Sequence, residues 1–113
     1  MIEDAKNLSL NPKEFEEYLV DTYEENIMEH RGIHYIFRFP NGYGASIVKM
    51  YGSYGWDQDN WELAVILFEE ETDTLKTTEW IVVYPKQIVS QGCTIGNQTD
   101  EDIVDLLRKI KEL

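Results

Sequence analysis

The side chains best equipped for chemistry are few: two histidines, His30 and His34, one cysteine, Cys93, and a short acidic run, Asp57, Asp59 and Glu62. Histidines four residues apart converge on a metal only when they share a helix face. Gly32 lies between this pair and marks a boundary between a helix and a strand, so the spacing does not predict a zinc site, and nothing around Cys93 (SQGCTIG) marks an activated thiol. The acidic run resembles the start of a calcium loop. It has Trp61 where the fifth position needs an oxygen ligand and Glu62 where the sixth needs glycine, so an EF-hand is excluded.

Other catalytic patterns fail on spacing. Gly52-Ser53-Tyr54-Gly55 is not the Gly-x-Ser-x-Gly of a nucleophile elbow, and Gly42 and Gly44 are followed by Ile47 instead of a third phosphate-cradling glycine. With 22 acidic residues in 113, any pair suited to glycoside hydrolysis carries no information. The expectation is a protein that is not an enzyme, with no catalytic residues, no metal and no cofactor.

Charge is the stronger signal. The chain carries 22 Asp and Glu against 10 Lys and Arg, a formal net charge of -12. Residues 57–79 hold eight acids and one base, residues 1–31 nine acids and three bases, and the stretch between them is slightly basic. Such a balance excludes nucleic acid and anionic membrane as partners, because both need clustered Lys and Arg. It favours a basic protein surface, with solubility as the plain alternative. Tyr51, Tyr54 and Trp56 stand beside Asp57 and Asp59, and aromatics next to carboxylates are the composition of binding hot spots. The candidate partner-binding set is therefore Tyr51, Tyr54, Trp56, Asp57 and Asp59, with Glu69, Glu70, Glu71 and Asp73 as electrostatic support. Alternatively, the aromatics fold back onto the core.

These residues need a scaffold. Hydrophobic residues make up 42%, enough for one packed domain spanning residues 1–113, and a single cysteine excludes an internal disulfide. The start, MIEDAKNLSL, has neither the basic nor the apolar region of a signal peptide, and no apolar run approaches bilayer length, so a cytoplasmic location is expected. Asn11 followed by Pro12 and Glu14 reads as a capped helix start, and Phe15, Tyr18, Leu19, Thr22 and Tyr23 share one helical face. After Gly32, IHYIFRF, Asn41-Gly42 and YGASIVKM predict a hairpin, with Ile33, Tyr35, Phe37 and Phe39 on one face. WELAVILF and TTEWIVVYP predict a second hairpin whose first strand, apolar on both faces, is central.

Residues 85–98 read as a connection. Thr99 with Asp102 forms a capping signature for a final helix carrying Ile103, Leu106, Leu107 and Ile110. The expected fold is α+β, about four antiparallel strands in two hairpins with an N-terminal and a C-terminal helix.

The segments FRFPNGYGASIVK, YGSYGWDQDNWELAVI and TDEDIVDLLRKIKEL resemble small proteins encoded in phages and prophages of Firmicutes. The most specific elements are Asn41-Gly42-Tyr43-Gly44-Ala45-Ser46, Ser53-Tyr54-Gly55 and Trp61-Glu62-Leu63-Ala64-Val65. An Asp-Thr-Pro-like stretch follows the fourth strand in those proteins, where this chain has Tyr84-Pro85-Lys86-Gln87. The resemblance implies an interaction protein of the phage that inhibits a host defence effector, a CRISPR-type nuclease or an NAD-consuming sirtuin-domain enzyme, as anti-CRISPR proteins and sirtuin inhibitors do. The alternative is an accessory or assembly protein that binds another phage protein or itself as a homo-oligomer.

Overall fold

A computed structural model describes residues 8–69, 79–89 and 94–113. Six antiparallel strands form one sheet: β1 (Leu19–Ile27), β2 (His30–Arg38), β3 (Tyr43–Lys49), β4 (Trp61–Phe68), β5 (Trp80–Val82) and β6 (Ile95–Gln98). The order is β1-β2-β3-β4-β5, and β6 shares with β5 the far side of β4. β5 pairs with the end of β4 at Ile66 to Phe68, and β6 with its start at Trp61 and Leu63. One helix, α1 (Asp100–Lys111), follows.

Two expectations are corrected: the described residues form six strands instead of about four, and residues 13–27 do not form the predicted N-terminal helix. Lys13–Tyr18 makes a short 3-10 turn, and the cap position falls on Pro12 with no side-chain cap. The chain then extends as β1. Phe15, Tyr18 and Leu19 do reach the core, as their spacing demanded. Beyond them Val20, Thr22, Tyr23 and Ile27 are β-branched or aromatic, types that suit a pleated surface. Pairing with β2 from Leu19↔Phe37 to Ile27↔His30 satisfies their backbone, with a bulge between Leu19 and Asp21. The tight turn between β1 and β2 has Met28 and Glu29 both at positive φ, 51° and 68°, the combination that matches strand twist in a two-residue hairpin loop. The second missed strand, β6, reads IGNQ and carries no strand pattern of its own.

The main core lies between one sheet face and α1. Tyr35, Phe37, Ala45, Ile47, Trp61, Leu63 and Val65 meet Ile103, Leu106, Leu107 and Ile110, with Leu10 and Phe15 closing one side. On the opposite face Ile36, Ile66 and Phe68 form a smaller cluster against Trp80 and Val82.

Both ends of α1 are tied down. Thr99 and Asp102 form the capping box, with Asp102 N donating to Thr99 Oγ1 and Thr99 N to Asp102 Oδ2. At the other end Asn41 Nδ2 donates to the carbonyls of Ile110, Lys111 and Leu113, which pins the β2–β3 turn to the helix C-terminus. Among the described residues no helix is long and apolar enough to cross a membrane.

The strand assignment of residues 19–27 has a direct check. Their Cα chemical shifts in NMR should be displaced upfield as in a β-strand, and a downfield, helical pattern over the same residues would restore the helix and overturn the β1–β2 pairing.

Candidate protein-interaction site

At the end of the sheet where β2 begins, β3 ends and β4 begins, the chain makes a compact loop of residues 50–60. Its turns close on themselves. Ser53 N donates to Met50 O (2.9 Å), Ser53 Oγ donates to the same carbonyl (2.7 Å), and Gln58 N and Asn60 N both donate to Gly55 O (3.0 and 2.9 Å). Neighbouring elements then clamp the loop. Tyr54 N donates to Glu62 Oε1 (2.7 Å), Asn97 N of β6 donates to Tyr54 O (2.9 Å), and Asn60 Nδ2 donates to Asn97 Oδ1 (2.8 Å).

Two glycines make this seating possible. Gly55 has φ 105°, and a Cβ there would stand 2.8 Å from Asn97 Cα; a Cβ on Gly96 would stand 2.4 Å from Tyr54 Cβ. The loop therefore holds its shape before any partner arrives, which lowers the ordering cost of binding.

The aromatic residues divide into supports and contacts. Trp56 is buried, its indole N–H without a hydrogen-bond partner. His30 stacks on Tyr51 with centroids 4.8 Å apart and meets Trp56 edge-on at 5.9 Å. Tyr51 is half-buried in this arrangement. Tyr54 is 73% exposed, and Asp57 is exposed beside it. The β1–β2 tip lies at the same end of the sheet and presents Met28, also 73% exposed. Neither Met28 nor His30 is among the residues that the sequence marks for binding. A turn made of Met and Glu lacks the Asn-Gly or Asp-Gly signature that would have revealed it.

Asp59 has an internal assignment. Its carboxylate lies 3.3 Å from Lys49 Nζ, and Lys49 is 1% exposed, with its ammonium 4.2 Å above the Trp61 ring. Glu62 receives the Tyr54 amide, so two carboxylates of the Asp57, Asp59, Glu62 run serve the loop itself. The structure thus brings Tyr51, Tyr54, Trp56, Asp57 and Asp59 together but leaves Glu69 exposed at the opposite end of β4, roughly 25 Å away at about 3.3 Å per residue. Glu70, Glu71 and Asp73 lie outside the described residues.

The histidines do not converge. Four residues apart on a strand they stand about 13 Å from each other. His34 is buried on the face opposite α1, with its Nε2 2.8 Å from Glu25 Oε2 and its ring stacked on Tyr23 at 4.3 Å. Partial burial, and then the negative charges of Glu25 and Asp21, push the Tyr23 phenol above the ordinary tyrosine range. Among the described residues no group of three or more His, Cys, Asp or Glu could hold a metal ion; Cys93 is outside them. No family model, curated protein or solved structure matches this chain.

The Lys49–Asp59 geometry separates support from contact. Asp59→Asn keeps a residue tolerant of the left-handed φ of 59° but removes the counter-charge of a buried ammonium, and should lower the unfolding free energy by about 2 kcal/mol. Adding Lys49→Met should recover most of that loss, since an apolar chain of similar volume has no charge to compensate. Tyr54→Ala should change stability by less than about 0.5 kcal/mol. Urea unfolding of the four proteins decides it; an Asp59→Asn chain as stable as wild type would free Asp59 for a contact role.

Proposed function

We propose that this chain is a phage-encoded protein-binding domain that docks the Tyr54–Asp57 end of its sheet onto a basic surface of a bacterial anti-phage defence effector and inhibits it by covering that surface. The observation that carries the binding reading is the exposure of Tyr54, 73%, on a loop held by at least three hydrogen bonds from outside it. A tyrosine held on a hydrogen-bonded loop beside a carboxylate has the character of an interface anchor. Met28 at the same end adds adaptable apolar area. A net charge of -12 raises the rate of encounter with a basic partner and repels nucleic acid.

The choice of effector follows from the resemblance of the Asn41–Ser46, Ser53–Gly55 and Trp61–Val65 motifs to phage and prophage proteins. The effector is a CRISPR-type nuclease, whose nucleic-acid channel is basic, or an NAD-consuming defence enzyme. Steric cover is enough for inhibition and requires no catalytic group on this chain.

The test is capture by the tagged protein from a lysate of a defence-bearing Firmicute across a salt series, followed by assay of the captured enzyme with and without added protein. A nuclease or NAD-consuming enzyme should be retained at low salt, lose activity when the protein is added, and bind less tightly as ionic strength rises. Tyr54→Ala should weaken capture by about 2 kcal/mol, roughly thirtyfold, and Asp57→Lys should act mainly on the association rate. Recovery only of the protein itself, or only of other phage proteins during infection, would replace this reading with the accessory or assembly role.

A further inference from the structure

β1 bonds to β2 on one side and is the last strand of the sheet on the other. Among the described residues no backbone group from Val20 to Ile27 bonds to anything but β2. Every residue from Val20 to Asn26 is exposed. Edges of this kind template the addition of another strand, and folded proteins suppress that with brevity, proline, charged side chains, lysine above all, or a bulge. β1 has nine residues, no proline and no lysine, and its bulge lies at its start, between Leu19 and Asp21, so Asp21–Ile27 runs regularly. The opposite side of the sheet differs, being divided between β5 of three residues and β6 of four.

The charge on this edge selects its occupant. Asp21, Glu24 and Glu25 are its only charged residues, and all are negative. A second copy paired antiparallel in full overlap about Tyr23 would set Asp21 of each chain opposite Glu25 of the other, and like charges directly opposite are destabilising. A purely apolar strand would offer none of these carboxylates an opposite charge across the new pairing. Asp21 and Glu25 share one face of β1 and Glu24 the other, so an extended segment bearing lysine or arginine at alternate positions meets Asp21 and Glu25 with opposite charge. Glu24 already holds Arg31, and Glu25 lies against the His34 ring, yet their side chains remain 55% and 45% exposed and can accept a further donor. Tyr23, 45% exposed, lies between Asp21 and Glu25 on the same face and supplies apolar surface for the stems of those basic side chains.

We infer that the outer edge of β1 is a strand-accepting surface whose occupant is an extended, lysine- or arginine-bearing segment of a partner protein, added to the sheet along Asp21–Ile27. This presupposes the binding-domain reading above and names the chemistry of the partner's contact segment. The edge runs to the Met28 tip, so one partner can engage both the strand and the Tyr54 end.

A fluorescent nine-residue peptide of alternating Lys and Val, and its counterpart with Glu for Lys, would be titrated against the full chain, with amide hydrogen exchange followed by NMR. The Lys peptide should bind and the Glu peptide should not. Alternate β1 amides that exchange freely alone should become protected, because their N–H groups now donate to the added strand. Asp21→Lys should weaken the Lys peptide about fivefold by turning an attractive cross-strand pair into a repulsive one, with the far-UV spectrum unchanged. Should that variant fail to fold, Asp21→Asn should weaken it about twofold. No binding, or binding that leaves the β1 amides unprotected, overturns the edge assignment. Capture of an inhibited effector in that same case leaves the binding-domain reading standing; protected β1 amides without any effector would sink the defence role and keep the edge.

Discussion

A buried ammonium organises this fold. Lys49, at the end of β3, is enclosed to 1% exposure on the face that α1 covers, and a charge there is tolerated only if its neighbours replace the water it has lost. The Trp61 ring beneath it and the Asp59 carboxylate beside it do so. Each of these neighbours is thereby committed. Trp61 is fully buried at the start of β4, meets Tyr35 edge-on, and donates its indole N–H to Asp100 Oδ1 at the first turn of α1 (2.6 Å). Asp59 adopts positive φ at the end of the 3-10 turn that closes the 50–60 loop. Through one cation, β3, β4, the loop and the helix N-terminus share a single arrangement. Weakening the pair therefore disturbs the candidate interface as well as the core.

The loop of residues 50–60 inherits its rigidity from this arrangement. Asp59 and Trp56 face inward, which turns Tyr54 and Asp57 outward, and β6 holds the intervening backbone through Asn97 and the bare Cα of Gly96. A loop fixed by its own scaffold loses little entropy on binding, so the energy of an exposed tyrosine is available for affinity. The buried indole N–H of Trp56, left without an acceptor, is a cost carried inside the described loop. Stacking of His30 on Tyr51 couples the loop to the β1–β2 hairpin and brings the Met28 tip alongside.

Negative charge has two effects on this fold. Spread over β1 it discourages pairing between copies at an edge that no other described strand covers, as edge charges do in many sheets. The same carboxylates leave that edge compatible with a basic strand. At the other side β4 is covered by two short segments with little free edge. The acidic block of residues 57–79 does not form one surface, because the length of β4 separates Asp57 from Glu69. Asp57 and Glu69 act jointly only through the long-range field, which favours the approach of positive charge.

Local chemistry made part of this structure legible. The Asn41-Gly42 turn, the alternation of Tyr35, Phe37 and Phe39, the doubly apolar β4 and the Thr99–Asp102 capping box each depend on neighbours within a few residues, so the sequence by itself determined a β2–β3 hairpin, a central β4 and a capped C-terminal helix. Residues 13–27 were not decided in this way. Phe15, Tyr18 and Leu19 fit a helical stripe and do become buried or half-buried, but periodicity reports which side chains seek burial, not whether the backbone bonds to itself or to a neighbouring strand. That depended on β2 offering an edge once its other edge had paired with β3. The site divides along the same line. Aromatics beside acids marked residues 51–59 as a contact loop. Only the tertiary structure decided that Asp59 answers a buried Lys49 ten residues away, that Trp56 supports and Tyr54 projects, and that Met28 joins them, because burial and ion pairing are settled by elements meeting in space.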